Sequence, residues 1–158
     1  MLSKEFELGK ILIERGLQVS VAESCTGGLL SSRLTDVSGS SAYTRANFVT
    51  YSNEAKKEIL GVNEETLERF GAVSEECARE MAEGLVRKTG CDLAICTTGI
   101  AGPTGGTPEK PVGLIYISVA YKGEIIVQKF LLKPKYDRKK MKFLFTEKAL
   151  EMALEIIG

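Results

Sequence analysis

Apolar residues recur along the chain at two spacings, one typical of amphipathic helices and the other of buried strands. The clearest helical stripe opens after Ser74, ends before Gly90, and consists of Cys77, Ala78, Met81, Ala82 and Leu85. Similar stripes predict five further helices, over residues 3–16, 28–34, 53–60, 63–71 and 137–156. Their predicted N-caps are polar side chains where the chain offers one, namely Ser3, Asn53, Asn63 and Asp137.

Short apolar runs between these helices predict strands at residues 19–22, 42–51 and 93–96. Two longer runs, residues 112–121 and 124–132, flank Lys122-Gly123 and predict an antiparallel hairpin. The glycine- and proline-rich stretch 97–113 is predicted to be a shaped loop. Strands separated by helices, plus one hairpin, predict a single α/β domain over residues 1–158, with a mixed sheet and helices on both faces.

The composition excludes several kinds of chemistry. None of the 158 residues is histidine, which rules out Ser-His and Cys-His nucleophile pairs and removes the commonest ligand of zinc, copper and non-haem iron. The four cysteines form no C-x-x-C pair, so neither a zinc ribbon nor a thioredoxin-type site is expected. Acid–base chemistry must therefore use Lys, Asp, Glu, Tyr or Cys.

Charge and hydropathy limit the partners. Lys plus Arg and Asp plus Glu number 21 each, so the chain lacks the basic excess of most nucleic-acid binders, and we expect no direct nucleic-acid contact. The sequence has no apolar run of about 18 residues and no apolar segment of signal-peptide length near residue 1. We expect a soluble cytoplasmic protein that makes no membrane contact.

The first candidate site is the turn after the strand at residues 19–22, which reads Glu23-Ser24-Cys25-Thr26-Gly27-Gly28. A turn that leaves a strand and opens a helix points backbone N–H groups at whatever binds there, and these amides would suit an oxyanion. Ser24 and Cys25 are both possible nucleophiles. The alternative interpretation is an ordinary Ser/Thr helix cap followed by a glycine turn.

The second candidate is the loop Thr97–Gly106, whose small residues leave its amides free to bond a ligand. The alternative is a purely structural connector, but so much glycine and proline favours binding. The third candidate is Lys56. It falls in the apolar arc of Ile59 and Leu60 in a first helical turn, while Lys57 points away. Burial and the helix dipole would both favour a neutral amine; the alternative is a snorkelling side chain.

These candidates reinforce one another, because a Ser-Lys pair is among the few ways to activate a hydroxyl nucleophile without histidine. A basic cluster opens the last helix and consists of Lys133, Lys135, Arg138, Lys139, Lys140 and Lys142. Most of this cluster is interpreted as a solvated face. Arg138 offers the best fork for a phosphate.

Four ordered motifs resemble the C-terminal domain of the competence/damage-inducible protein CinA, a family whose domain also occurs alone as the nicotinamide-nucleotide amidase PncC. They are AESCTGG (22–28), GSSAY with FVTYSNEAK (39–56), GAVSEE (71–76) and TGIAGPTGGTPEKPVG (98–113). The resemblance implies hydrolysis of nicotinamide mononucleotide to nicotinate mononucleotide and ammonia, in pyridine nucleotide recycling. It also implies a three-layer α/β/α sandwich, no required metal or cofactor, and a homo-oligomer, either a dimer or a trimer.

The resemblance also assigns roles to residues. It places the serine nucleophile on Ser24, the lysine on Lys56 and a catalytic tyrosine on Tyr51. The substrate-binding positions it implies lie in the two glycine-rich segments and the last helix: Cys25, Thr26, Gly27, Gly28, Thr98, Gly99, Gly102, Gly105, Gly106 and Arg138. Relatives often carry a second arginine near Arg138, where this chain has Lys142.

Two rivals to the amidase remain open from the sequence. One is a non-enzymatic nucleotide-binding or interaction module in competence or the DNA damage response. The other keeps the Ser-Lys chemistry and changes the amide substrate. The chain also lacks the N-terminal, molybdopterin-binding-like domain of full-length CinA, so we expect either a standalone enzyme or an excised domain.

Overall fold

The computed structural model describes residues 2–158, so the first residue of the predicted 1–158 domain lies outside the description. Helices and strands alternate through most of the chain. The helices are α1 (Lys4–Arg15), α2 (Leu29–Thr35), α3 (Asn53–Leu60), α4 (Glu64–Phe70), α5 (Glu75–Thr89) and α6 (Arg138–Ile157). The strands are β1 (Val19–Glu23), β2 (Phe48–Val49), β3 (Leu93–Gly99), β4 (Leu114–Tyr121) and β5 (Glu124–Leu131).

One mixed sheet of five strands has the order β2-β1-β3-β4-β5. Strand β1 lies parallel to both β2 and β3, whereas β3, β4 and β5 pair antiparallel. The carboxyl ends of β1, β2 and β3 therefore meet at one edge of the sheet. Open α/β sheets bind ligands at this edge.

Helices cover both faces of the sheet, as the sequence predicts. On one face, α1, α2 and α6 pack on side chains such as Val21, Ile95 and Ile117. On the other face, α5 covers smaller residues such as Ala94 and Cys96, and α3 and α4 pack against α5. Successive residues of β3 point to opposite faces, so one strand supplies both cores. The architecture is a three-layer α/β/α sandwich.

Several predicted boundaries are confirmed. The β4–β5 hairpin turns through Lys122 and Gly123, both with positive φ as a two-residue turn requires. Asp137 caps α6 by accepting a hydrogen bond from the N–H of Lys140. No helix within residues 2–158 combines the length and apolarity that a bilayer crossing needs.

The strand predicted at residues 42–51 is wrong in extent, because only Phe48–Val49 is a strand and Ser40–Ala42 forms a 3-10 turn. Side chains replace the ladder between these segments. The Asn47 side chain accepts a bond from the N–H of Val21, and the Ser20 hydroxyl accepts one from Ala46. A strand whose partner bonds are taken by side chains cannot extend its pairing.

Three smaller boundary corrections bear on the site. Ser52, not Asn53, caps α3, because its hydroxyl accepts the N–H of Ala55. Ser3 makes no side-chain capping bond. Strand β3 continues through Gly99 rather than ending at Cys96, because Thr97, Thr98 and Gly99 all pair with β4.

Candidate functional site

Ser24 and Lys56 meet at the carboxyl end of β1. The Ser24 residue follows β1 directly, and its N–H donates to the carbonyl of Thr97 on the neighbouring strand. Lys56 Nζ lies 2.9 Å from Ser24 Oγ, although 32 residues separate the two along the chain. Both side chains are buried, Lys56 to 1% exposure and Ser24 to 8%. The structure thus brings Lys56 together with one of the two possible nucleophiles of the first candidate turn.

The hydrogen bonds of Lys56 define the direction of its lone pair. Besides Ser24, Nζ contacts the carbonyl oxygens of Thr50 at 2.9 Å and Tyr51 at 3.1 Å. A carbonyl oxygen only accepts, so these two contacts use two N–H bonds of the amine. A neutral amine has two hydrogens and one lone pair. The lone pair is then left for the hydroxyl hydrogen of Ser24, which is the geometry of a general base.

The surroundings of Lys56 favour that neutral form. Burial lowers the pKa of Lys56 below its ordinary value of 10.5. Among the described residues, Lys56 forms no salt bridge that would hold a proton on Nζ. Lys57, one residue on, is exposed and pairs with Glu64 at 3.3 Å. The two neighbouring lysines therefore lie in opposite environments, as the helical spacing predicts.

Cys25, the rival nucleophile, is placed differently. Burial raises the pKa of its thiol to about 12. Because the thiolate rather than the thiol attacks, burial disfavours Cys25 as a nucleophile. Its neighbour Ser24, and not Cys25, receives the amine of Lys56. The contact with Lys56 favours Ser24 over Cys25 as the candidate nucleophile, where the residues alone left both open.

The turn after Ser24 leaves backbone donors unused. The N–H of Gly27 bonds the carbonyl of Ser24, and that of Leu29 bonds Thr26. Within residues 2–158, the N–H groups of Cys25, Thr26 and Gly28 have no protein acceptor. Unused donors beside a nucleophile are what an oxyanion requires. The positive φ of Gly27 (60°) and Gly28 (103°) shapes this turn.

The sequence missed Glu23, the last residue of β1. Its side chain is fully buried and accepts three hydrogen bonds, from the hydroxyl of Thr26 and the N–H groups of Leu30 and Ser31. Thr26 is fully buried as well, and its hydroxyl also lies 2.8 Å from that of Thr97. The Thr26 side chain is therefore used inside the protein, which leaves only its backbone for a substrate. A carboxylate at a strand end beside a Ser/Thr turn was the available signal.

A cleft of about 300 Å³ opens beside the pair. Cys25 and Tyr51 form one wall, and the glycine-rich loop forms the other; its lining residues there are Gly99, Ile100, Ala101, Gly102, Thr104 and Gly105. Arg138 closes the third side. The first two predicted segments and the start of the last helix thus converge on one cleft.

Two of the predicted loop residues are structural instead. Thr98 is buried in β3, and its hydroxyl donates to the carbonyl of Ala72. Gly106 lies against Val112 outside the cleft, where a Cβ would stand 2.7 Å from the Val112 nitrogen. Gly99 does line the cleft, although it belongs to β3 rather than to the loop.

Arg138 connects the loop to Tyr51. Its guanidinium donates to the carbonyl of Gly102 at 2.7 Å and to the hydroxyl of Tyr51 at 3.1 Å. The Tyr51 side chain is 58% exposed, so only its carbonyl, and not its hydroxyl, contacts Lys56. Lys142 reaches the same region, since its Nζ lies 3.3 Å from where a Cβ on Gly27 would stand. Arg138 therefore lines the cleft, and Lys142 lies beside the turn that follows Ser24.

A larger cleft of about 510 Å³ lies at the other edge of the sheet, beside the residues that precede β1 and β3. Leu17, Cys91 and Tyr121 are among its lining residues. None of its lining residues within 2–158 adjoins Ser24 or Lys56. The smaller cleft, in contrast, is lined by Cys25, which follows Ser24, and by Tyr51, whose carbonyl accepts a bond from Lys56. Among residues 2–158, no three metal-ligating side chains converge.

The sequence is similar to one known family along almost its full length. The model of the CinA C-terminal domain matches residues 2–157. A CinA-like protein from Chloroherpeton thalassium is 52% identical over 156 residues, which cover 98% of this chain and 37% of that protein. A CinA-like protein from Chlorobium limicola is 50% identical over 161 residues, covering 98% and 38%. The chain spans little more than a third of these relatives.

Solved structures show the same fold. The competence/damage-inducible protein CihA from Agrobacterium tumefaciens superposes with a TM-score of 0.92 at 39% identity, covering 100% of this chain and 98% of that chain. A CinA superfamily protein from Escherichia coli superposes with a TM-score of 0.91 at 34% identity, covering 97% and 88%. The predicted fold class is confirmed.

Proposed function

We propose that this chain, which belongs to the CinA C-terminal domain family, is an amidase that hydrolyses nicotinamide mononucleotide to nicotinate mononucleotide and ammonia. The observation that carries the proposal is the buried Ser24–Lys56 contact of 2.9 Å. Burying an amine without a carboxylate partner is costly, and a reaction that needs a neutral amine explains the arrangement. The choice of substrate rests on the motif resemblance.

Acylation begins when Ser24 Oγ attacks the carboxamide carbon and its proton passes to the lone pair of Lys56. The carbonyl oxygen becomes an oxyanion, which the free N–H groups of Cys25, Thr26 and Gly28 would stabilise. The C–N bond then breaks, and protonated Lys56 gives its proton to the leaving nitrogen, so ammonia departs and an acyl-Ser24 ester remains. Lys56 is neutral again after this step.

Deacylation repeats these steps with water. Lys56 takes a proton from the attacking water, the ester carbonyl again becomes an oxyanion, and Ser24 leaves with the proton that Lys56 returns. The product is released as the carboxylic acid, which loses its remaining proton to water and becomes the carboxylate. We assign both proton transfers to Lys56 rather than to Tyr51, because the Tyr51 hydroxyl bonds Arg138. Tyr51 would instead shape the cleft.

The phosphate of the nucleotide would lie where the two cations meet the glycine-rich loop. The planar guanidinium of Arg138 can donate several hydrogen bonds to a phosphate. Two of its N–H groups already bond the Gly102 carbonyl and the Tyr51 hydroxyl. Lys142 supplies a point charge beside Gly27. A nucleotide would therefore lie with its amide at Ser24 and its phosphate towards the start of α6.

The test is ammonia release from nicotinamide mononucleotide by the wild-type chain and two neighbouring variants. We expect Ser24→Ala to lose activity by about 10⁴-fold or more, since no other residue contacts Lys56 as a nucleophile. Cys25→Ser should keep appreciable activity, because its thiol is protonated and makes no bond to the lysine. An inactive Cys25→Ser with an active Ser24→Ala would refute the assignment.

The same assay separates the rival functions. If the wild-type chain binds the nucleotide without releasing ammonia, the non-enzymatic binding module is favoured instead. If it releases ammonia faster from another carboxamide in competition, the Ser-Lys chemistry stands and the substrate changes.

A further inference from the structure

We infer that Glu23 is the positioning residue of the reactive turn: its buried carboxylate fixes the segment that carries Ser24 and the free N–H groups. The inference rests on the proposed function, because it assigns a role within that site. Glu23 lies within the AESCTGG motif, but the resemblance assigns it no role, and its side chain is fully buried.

The carboxylate takes over the capping of α2. The N-cap of this helix is Gly28, which has no side chain to bond the next amides. Those amides normally bond the side chain of the N-cap itself. Here the N–H of Leu30 bonds Glu23 Oε1 at 2.7 Å, and that of Ser31 bonds Oε2 at 2.9 Å. Because Glu23, five residues before the N-cap, accepts these bonds, the N-cap position needs no polar side chain and can be the glycine Gly28.

The same carboxylate also holds the interior of the turn. Glu23 Oε1 accepts a bond of 2.6 Å from the Thr26 hydroxyl, which lies 2.8 Å from the hydroxyl of Thr97 on β3. These bonds join the turn, through Thr26, to the neighbouring strand β3. The turn is fixed from both sides while the N–H groups of Cys25 and Gly28 stay unbonded.

The backbone of Glu23 reaches the lysine. Its carbonyl accepts the N–H of Thr50 at 2.8 Å, and the carbonyl of Thr50 accepts Lys56 Nζ at 2.9 Å. Ser24, the next residue after Glu23, contacts the same Lys56 Nζ through its hydroxyl. One residue thus ties together the nucleophile, the base and the oxyanion donors.

A glutamine in this position would fill the same space with the wrong polarity. Every contact of the carboxylate is with a donor, so an amide nitrogen would have to face an N–H group. In a fully buried site such a donor–donor contact forces the turn to move. Misplacement of reacting groups by about 1 Å costs on the order of 100-fold in rate.

The chain offers a matched control in Glu80 and Thr66. Glu80 on α5 accepts the N–H of Asn63 at 2.8 Å and the Thr66 hydroxyl at 2.6 Å, so it holds the start of α4 as Glu23 holds the start of α2. Glu80 lies outside the reactive cleft. Glu23→Gln and Glu80→Gln therefore disturb bonds of the same kind, three at the fully buried Glu23 beside the site and two at the half-buried Glu80 remote from it.

The experiment measures the rate at which a fluorophosphonate probe labels Ser24, alongside kcat and KM for nicotinamide mononucleotide and urea unfolding. Labelling forms a Ser24 O–P bond, expels fluoride and passes the serine proton to Lys56, so it reports the reactive turn without the natural substrate. We expect Glu23→Gln to lower the labelling rate and kcat by about 100-fold, with KM within about twofold. Glu80→Gln should keep both rates within about twofold, and urea unfolding shows how far each variant is destabilised.

Equal rate losses in the two variants, or a Glu23→Gln rate within threefold of the wild type, would overturn the inference. If Glu23→Gln does not fold, the labelling rates of Thr26→Val and its control Thr66→Val are compared instead. A labelling rate lowered by about tenfold in Thr26→Val alone supports the inference, and equal labelling rates in the two variants overturn it. A wild-type chain that is labelled at Ser24 but releases no ammonia would refute only the proposed substrate. A wild-type chain that is never labelled would overturn the inference as well.

Discussion

Lys56 combines two properties that oppose each other in most proteins. Its amine is bonded on three sides and only 1% exposed, yet no carboxylate among residues 2–158 pairs with it. Desolvation penalises the ammonium form, so the pKa of Lys56 is lowered. The side chain points back along α3 towards the residues before the helix, which is the usual direction of helical side chains. Burial in the fold, rather than a neighbouring charge, favours the neutral amine of Lys56.

The lowered pKa sets the expected pH dependence of the reaction. Lys56 must be neutral to accept the proton of Ser24, so activity rises as pH increases through the pKa of Lys56. Because that pKa lies below 10.5, the ascending limb of the profile of kcat/KM should have its midpoint below 10.5. A profile that is flat through the whole neutral and alkaline range would contradict the base assignment.

Substitution of the two adjacent lysines tests the same idea without titration. Lys56→Arg should be almost inactive, since a guanidinium cannot accept a proton in this range. Lys57→Ala should be close to wild type, because Lys57 is exposed and loses only a surface ion pair with Glu64. The measurement is kcat/KM for each variant. An active Lys56→Arg would remove the lysine from the mechanism, and equal losses would indicate a general electrostatic effect.

Helix α3 is held in place by α5 through an unusually close backbone approach. A Cβ on Gly84 of α5 would stand 1.7 Å from the carbonyl oxygen of Leu60, the last residue of α3. The contact is with backbone, which cannot rotate away as a side chain would. Since Lys56 lies one turn before Leu60, the position of the base depends on this contact.

We therefore expect Gly84→Ala to destabilise the protein and impair catalysis. Alanine in a helix interior is favoured over glycine by about 1 kcal/mol, but overpacking costs about 1–3 kcal/mol, and a clash at 1.7 Å with backbone belongs at the upper end. Urea unfolding should show a net loss, and kcat should fall as α3 shifts. Glu83→Ala, an exposed neighbour on α5, should change the unfolding free energy by less than about 0.5 kcal/mol. A stabilised Gly84→Ala would show that α3 and α5 can separate freely.

The elements that the sequence predicts correctly are those whose signal is local. The stripe of α5, the Asp137 cap and the Lys122-Gly123 turn each depend on residues a few positions apart. The strand at 42–51 fails because Asn47 and Ser20 bond backbone groups across the fold, which no local pattern reveals. The choice of Ser52 over Asn53 as a cap is a difference of one residue between two good capping types.

The candidate site divides in the same way. Lys56 and the turn with Ser24 and Cys25 could be singled out because the absence of histidine leaves few bases and their positions suit a helix start and a turn. The residues alone did not rank Ser24 above Cys25. Their contact across 32 residues, and the unused N–H groups beside them, required the sheet order. The role of Glu23 could not be predicted, because a glutamate that caps a helix from the preceding strand carries no local sequence signal of that contact.

Three helices on one face of the sheet are joined by a buried ion network centred on Arg33 of α2. Its guanidinium bonds Glu5 of α1 at 2.6 Å and Glu147 of α6 at 2.5 Å, and Lys4 also bonds Glu147 at 2.9 Å. Arg33 and Glu5 are each only 6% exposed. Since α2 follows the reactive turn and α6 carries Arg138, the network fixes the relative position of two walls of the site.

The network should make stability fall in acid. Burial acts to raise the pKa of Glu5, but hydrogen bonds, that from Arg33 foremost, outweigh it and leave the pKa below its ordinary 4.5. The pKa of Glu147 is lowered in the same way by Lys4 and Arg33. The unfolded chain therefore binds more protons below about pH 4.5. The contribution of both carboxylates is present above pH 4.5 and is lost as pH falls through their lowered pKa values.

We expect Arg33→Met to raise the folded-state pKa of Glu5, where Arg33 now lowers it. The substitution keeps an apolar stem but leaves the buried carboxylate without its cation, which costs about 3–5 kcal/mol in comparable cases. With the arginine gone, the largest of the contributions that lower the pKa of Glu5 is lost, while burial still raises it and the hydrogen bonds from Ser3 and the backbone remain. The folded pKa of Glu5 should therefore rise, and the variant should regain part of its deficit as pH falls. Urea unfolding at neutral pH and below pH 4.5 should show that the difference in unfolding free energy between wild type and variant becomes smaller in acid.

The control is Arg69→Met, which removes an exposed pair with Glu65 at 3.7 Å and should cost less than about 0.5 kcal/mol of unfolding free energy. A gap that stays constant with pH would mean that Arg33 stabilises the three helices by packing, through contacts such as the Phe143 ring at 4.6 Å, rather than by neutralising Glu5.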